Sequence, residues 1–295
     1  MKVLKYEIPD SAKSYRPSEP FTARILGNER LTEEDTDVDI RNIILDISDS
    51  NIEYLEGQSI GVIVPGTQEN GRPHRVRLYS IASSRNGDHG CGLSVTLCVK
   101  RVVFDDEDGN EVRGLTSNYL CDTKIGDKIT IIGPTGRTFF LPQDENVNLI
   151  MVAAGTGIAP FRAFIHRIYK ERKSWKGRVI LYYGVRNAME NIYMNRENDD
   201  LNQYMTEETF EAFQTFSSEI SNGKRTYVQH KIAENQEDIW NLLKEGNFSF
   251  YLCGMKNMEK SVDDVFAQRA AQEGLDWAAM KKEFRQNGRW NIEVY

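Results

Sequence analysis

Arg77-Leu78-Tyr79-Ser80 puts three kinds of chemistry on one short segment. In an extended chain successive side chains point to opposite sides, so a strand here would sort the four residues onto its two faces. The guanidinium suits a pyrophosphate, the phenol offers a flat face to a ring system, and the hydroxyl can hydrogen-bond a ring nitrogen. For an isolated tetrapeptide, an edge strand with a surface arginine and a half-buried tyrosine is the ordinary alternative. A second segment, Ala154-Gly155-Thr156-Gly157-Ile158-Ala159-Pro160, runs from an apolar stretch through a glycine turn into a helix start. Glycines let a ligand approach the backbone, and the leading N–H groups of a helix attract phosphate or an electron-rich ring edge. The segment is not a complete G-x-G-x-x-G, and no acidic residue completes that fingerprint at the usual later spacing. A plain structural turn accounts for it as well.

Both segments need a scaffold, and the chain supplies two of different texture. From about Phe21 to Pro142 the apolar segments are short and often alternate, as in 41–47, 60–64, 93–99 and 129–132. Punctuation by Pro65-Gly66, Asn70-Gly71, Asn86-Gly87, Asp108-Gly109 and Gly133-Pro134 predicts an antiparallel barrel or sandwich. Beyond Pro142, apolar runs at Leu149 to Ala154, Val179 to Val185 and Phe248 to Cys253 alternate with helical patterns. From Ala159 to Lys173, Phe161, Phe164, Ile165 and Ile168 share one face and Pro160 suits the first turn. After Cys253, Met258, Val262, Val265 and Phe266 line one side of another helix. Strands alternating with helices predict a parallel α/β sheet whose ligand sits at the carboxyl ends of the strands. Pro142-Gln143-Asp144-Glu145-Asn146 is the best boundary, dividing a β domain at 1–144 from a Rossmann-like α/β domain at 145–295.

At 295 residues the chain exceeds what one hydrophobic core usually serves. Charged residues at 27%, a mean hydropathy of -0.53 and no long apolar run argue against an integral membrane segment. The opening Met1-Lys2-Val3-Leu4-Lys5-Tyr6 resembles neither a secretory signal nor an Arg- and Ser-rich transit peptide, which points to a cytoplasmic chain. Cys91, Cys98, Cys121 and Cys253 show no C-x-x-C spacing, against a disulfide framework, a zinc site and an iron–sulfur cluster. Redox chemistry here would therefore need a bound organic cofactor and no metal. A net charge of -7 without a basic block argues against a nucleic-acid surface.

Further segments bring the two motifs into a longer series: Gly57-Gln58-Ser59-Ile60-Gly61-Val62, Pro73-His74, Ile81-Ala82-Ser83-Ser84, Leu97-Cys98-Val99-Lys100-Arg101 and Gly114-Leu115-Thr116-Ser117-Asn118-Tyr119-Leu120. The series closes with Tyr251-Leu252-Cys253-Gly254-Met255 and Trp290-Asn291-Ile292-Glu293-Val294-Tyr295. In order and spacing, from about residue 20 to the last, the chain resembles the plant-type ferredoxin-NADP+ reductase family.

The resemblance implies an antiparallel Greek-key barrel that holds FAD, followed by a parallel-sheet domain that receives the nicotinamide nucleotide. It places Tyr79 over one face of the isoalloxazine and Tyr295 over the other, so Tyr295 must move before a nicotinamide can stack. Arg77 and the turn Gly114-Leu115-Thr116-Ser117 match the groups that hold the FAD pyrophosphate, with Leu78, Cys98, Val99, Lys100 and Thr156 also beside the cofactor. Phe104 falls where the plant sequences stack a tyrosine on the adenine, and Thr116 replaces a cysteine. Ser80, Cys253, Glu293 and Tyr295 match the cluster around flavin N5 and nicotinamide C4. There a hydroxyl and a carboxylate manage position and proton, and Cys253 forms a small polarizable wall. Without those neighbours Cys253 reads as a buried core cysteine.

For NADP(H) the resemblance implies Lys100, Thr156, Gly157, Gly254 and Met255. Arg186 either replaces a hydroxyl-rich loop at the pyrophosphate or is a solvated loop arginine. Members that prefer NADP(H) carry Ser-Arg and, further on, a basic residue two before a tyrosine; here Ser217, Ser218, Arg225 and Tyr227 match, with Ser218 where the arginine is expected. Losing one charge-assisted phosphate contact costs about 1.5–3 kcal/mol, and NADP(H) remains the expected nucleotide. The implied protein partner is ferredoxin or flavodoxin, met by Arg75, Lys100 and Arg101 at the barrel mouth and Lys281, Lys282 and Arg285 on the last helix, unless these are only a solvated face. The expected activity is reversible electron exchange between that carrier and NADP+. An oxygenase-type reductase component fed by NADPH or NADH, and a flavin-binding module without turnover, are the alternatives.

Overall fold

Burial alternates along β1 (Phe21–Arg30), with Ala23 and Ile25 turned inward and Thr22 and Arg24 outward. The structure is a computed structural model in which residues 13–90, 92–221 and 224–295 are described; the opening hexapeptide and Cys91 lie outside the described residues. After β1 come β2 (Ile40–Asp46), β3 (Ser59–Ile63), β4 (Arg77–Ser80) and β5 (Ser94–Lys100). A hairpin of β6 (Val103–Asp105) and β7 (Glu111–Arg113) and the helix α1 (Leu115–Cys121) then lead into β8 (Lys128–Thr135). The antiparallel sheet has the order β4-β3-β8-β1-β2-β5. A bridge between Ile81 and Leu97 joins its two edges. It is therefore a barrel, in which closure removes the exposed strand edges. Ile25, Ile43, Leu45, Ile60, Val62, Leu97 and Ile131 fill the interior, which is why the apolar segments alternate. Closure also sets β4 beside β5, so Arg77–Ser80 and Cys98–Lys100 reach the same mouth.

The second sheet contains β9 (Asn148–Ala154), β10 (Val179–Val185), β11 (Phe210–Phe216), β14 (Phe248–Gly254) and β15 (Trp290–Val294), with a small hairpin of β12 (Ile220–Ser221) and β13 (Lys224–Arg225) between. All its pairings are parallel, in the order β11-β10-β9-β14-β15. Helices α2 (Ala159–Ile165), α3 (Val228–Glu234), α4 (Gln236–Glu245), α5 (Lys256–Gln272) and α6 (Trp277–Gln286) make the crossovers. One face of the sheet packs against Phe161, Phe164 and Ile168. The other packs against Trp240 and Phe266, where Phe250 and Trp290 stack with ring centroids 3.8 Å apart. The strand order reverses between β9 and β14, which opens a crevice at the carboxyl ends of those strands.

One helix departs from expectation. The pattern from Ala159 to Lys173 predicts a continuous α-helix, but α2 stops at Ile165 and residues His166–Arg172 form a π-helix, ended by Lys173 at φ 58. Its polar side chains are tied to the barrel: Glu171 accepts from the Ser84 hydroxyl, and Lys170 and Arg172 donate to the Asp88 and Pro142 carbonyls. The wider coil accommodates that row of cross-contacts, and an apolar periodicity argument does not see it.

Candidate active site

The barrel mouth meets the carboxyl ends of β9 and β14 in a cleft of about 650 Å³. Its barrel wall carries Arg77, Leu78, Tyr79 and Ser80 from β4, Cys98 and Lys100 from β5, and Gly114, Leu115, Thr116 and Ser117 at the start of α1. Its other wall carries Thr156, Cys253 and Tyr295. Val99 lies between Cys98 and Lys100 on β5 with its side chain turned into the barrel core, fully buried, which leaves its backbone for the cleft.

The parallel register sets Cys253 directly opposite Glu293 across β14 and β15, and Ser80 reaches both from β4. Burial pushes the Cys253 thiol well up. Burial also raises the Glu293 carboxyl to about 7, against the pull of the Ser80 hydrogen bond. Elsewhere burial lifts the thiols of Cys98 and Cys121 to about 12. Tyr295 is 63% exposed. Its backbone N–H donates to the Gly254 carbonyl at 3.1 Å, and its hydroxyl meets Thr156 Oγ1 at 3.0 Å and donates to the Ala154 carbonyl at 3.4 Å.

Glu293 has a pH signature. Its carboxyl titrates at about 7 in the folded chain against 4.5 unfolded, so between those values the native state holds the additional proton. Stability of the cofactor-free chain therefore falls as pH rises through that window. Glu293→Gln removes the slope: at pH 8 the variant is expected to be more stable than wild type by about 2–3 kcal/mol, converging with it toward pH 4.5. Denaturant unfolding at both pH values checks this, and equal stabilities at pH 8 would contradict a buried carboxyl.

The residues present fit a flavin dinucleotide. Arg77 is exposed and has no carboxylate partner among the described residues. No side chain caps the first turn of α1, so its leading amides and Arg77 together can meet a pyrophosphate. At the other end two phenol rings, one from each half, line the same space as Ser80. Gly157 closes that end: a Cβ there would lie 2.1 Å from the Cys253 carbonyl oxygen, so only glycine lets the Thr156 turn pack on β14.

Other expected residues lie outside the cleft lining. Phe104 stands 54% exposed on the β6–β7 hairpin. Ser217 and Ser218 follow β11, donating from their backbone N–H groups to the carbonyls of Val185 and Arg186 at 2.9 and 2.7 Å. Arg225 pairs with Ile220 in the adjoining hairpin, and Tyr227 precedes α3. These four and Arg186 thus gather at the ends of β10 and β11, while Gly254 and the exposed Met255 follow β14. Three of the proposed docking cations are already engaged. Arg101 pairs with Asp39 and Asp122, Lys281 with Glu259 and Asp263, and Arg285 with Glu259. Gln68, His74, Val102 and Ala159 line the cleft without having been singled out. His74 and Ala159 sit inside quoted segments, so only their orientation was missing.

The comparisons with known proteins cover both halves. A family profile described as an oxidoreductase FAD-binding domain matches residues 29–140, and one described as an oxidoreductase NAD-binding domain matches residues 151–264. The chain is 41% identical over 288 residues to the ferredoxin--NADP reductase of Synechocystis sp., covering 95% of this chain and 69% of that one. It is 40% identical over 297 residues to the ferredoxin--NADP reductase of Spirulina sp, covering 99% and 100%. Among solved structures, ferredoxin-NADP+ reductase from Plasmodium falciparum with 2'P-AMP superposes with a TM-score of 0.75 at 25% identity, over 95% of this chain and 98% of that one. Fold, cleft and relatives agree from the barrel to the final strand, and the chain belongs to the ferredoxin–NADP reductase family.

Proposed function

We propose that this chain is an FAD-dependent reductase exchanging electrons between ferredoxin or flavodoxin and NADP+/NADPH. The observation that carries the reading is the placement of Tyr79 and Tyr295, from opposite halves, in one cleft with Ser80 and Cys253, and with Glu293 beside them. Bound FAD supplies the conversion between one-electron and hydride chemistry. Arg77 and the start of α1 hold its pyrophosphate, Tyr79 flanks its ring, and Ser80 and Glu293 position a proton at the junction. Tyr295 covers the face where the nicotinamide must stack and moves aside for it. Residues 1–144 serve the flavin and 145–295 the nucleotide, a division supported by the gap between Thr135 and Asn148 that separates the two sheets. Ser217, Ser218, Arg225, Tyr227 and Arg186 take the phosphate end of NADP(H). No helix among the described residues is long and apolar enough to cross a membrane; a cytoplasmic setting is part of the proposal.

The test is steady-state reduction with NADPH and NADH, each against ferredoxin and flavodoxin, beside direct bleaching of the visible flavin band. Bleaching by neither nucleotide supports a module without turnover, and indifference to both carriers supports an oxygenase-type component. In the same assays Ser218→Arg is expected to raise the NADPH/NADH ratio of kcat/KM about tenfold by adding a charge-assisted phosphate contact. An unmoved ratio removes position 218 from the site.

A further inference from the structure

Ser80 belongs to the barrel, whereas Cys253 and Glu293 belong to the parallel sheet, so neither half alone sets their spacing. Contacts that cross between the halves must do so, and one of them lies two residues from Ser80. Arg162 of α2, its side chain 7% exposed, donates from Nη1 to the Ala82 carbonyl and to Asp88 Oδ1, both at 2.9 Å. Its Nε donates to Asp200 Oδ2 at 2.6 Å. His166 Nε2 lies 3.1 Å from the same Asp200 oxygen. Asp88 accepts from Thr96 Oγ1 at 2.6 Å through its other oxygen, and the Ala82 N–H donates to the Thr96 carbonyl at 2.8 Å. The stretch after Ser80 is thus fastened to β5 and to Arg162 together. At its other end Arg162 stands in the helix that grows out of the Gly155–Ile158 turn, where Thr156 meets the Tyr295 hydroxyl.

We propose that Arg162 is a positioning residue for the reaction described above, a role that rests on that reading. Clamped between Asp88 of the barrel and Asp200 of the α/β half, its guanidinium fixes the Ser80 segment against the Cys253–Glu293 pair. Only a planar fork donates in these three directions at once; an ammonium group of shorter reach keeps the charge and loses the span. Reacting atoms held face to face tolerate little displacement, so loosening this span acts on the hydride step while the pyrophosphate contacts, on the far side of the cleft, stay intact.

The experiment compares FAD-loaded wild type, Arg162→Lys and Asp88→Asn. It records flavin content, visible circular dichroism of the bound flavin and, by stopped flow at saturating NADPH, the bleaching rate per bound flavin. Both variants are expected to keep stoichiometric FAD with an altered dichroism, and to transfer hydride about tenfold more slowly with KM for NADPH little changed. A wild-type rate per flavin in either variant overturns the proposal. Loss of FAD or of folding in both also overturns it, because the cluster then serves stability alone. A wild type that does not bleach sinks the proposed function instead.

Discussion

Ser80→Val is expected to slow hydride transfer by about 100-fold or more while FAD stays bound. Valine suits a strand, and Ser80 is half-buried at the end of β4, so the added methyl meets open space in the cleft. What is lost is the hydroxyl whose hydrogen bonds reach Glu293 and Cys253. Without it the Glu293 carboxyl, already raised to about 7 by burial, has no donor and rises further. The far end of the cleft, with Arg77 and the start of α1, is untouched, so flavin content is expected to equal that of wild type. Stopped-flow reduction by NADPH reports the step, and a variant with full transient rates removes Ser80 from the chemistry.

Tyr295→Ser is expected to narrow the NADPH/NADH ratio of kcat/KM by about a hundredfold. The ring is held at its hydroxyl by contacts to Thr156 and to the Ala154 carbonyl. Together with stacking, such contacts amount to about 3 kcal/mol that either nicotinamide must overcome to enter. Emptying the position raises the stacked fraction of both nucleotides. NADPH, anchored also at its phosphate end, then transfers at nearly every encounter and its kcat/KM is capped by association, whereas NADH gains in full. Difference spectra of the oxidised flavin with NADP+ give the occupancy. An unchanged preference with unchanged occupancy counts against Tyr295 as the covering ring.

Much of this architecture was legible because each half repeats one period. The run Val179 to Val185 coincides with β10, and the start of β9 lies one residue from its expected place. The Arg77–Ser80 segment did not declare itself, since a tetrapeptide says nothing of what faces it; it gained meaning only beside Gly114–Ser117 and the final tyrosine. Charge pairing stayed invisible for the same reason. Arg101 is joined to Asp122 and to Asp39, 62 residues back, and Lys281 reaches 18 residues to Asp263. Arg162 drew no expectation at all, because its partners lie 74 and 38 residues away. The edge strand β11 mixes half-exposed and buried positions, so neither a period of two nor a solid apolar run marks it.

The described cysteines all lie under cover, with Cys98, Cys121 and Cys253 at 5%, 3% and 1% exposure. At neutral pH almost none of these sulfurs is in the nucleophilic form. Folded protein therefore offers alkylating reagents almost nothing at these three positions. With Cys91 exchanged for serine, one engineered thiol on the barrel and another on the parallel-sheet half become the addressable pair. Paired fluorophores or spin labels there turn the molecule into its own ruler for testing whether the distance between the two halves changes during turnover.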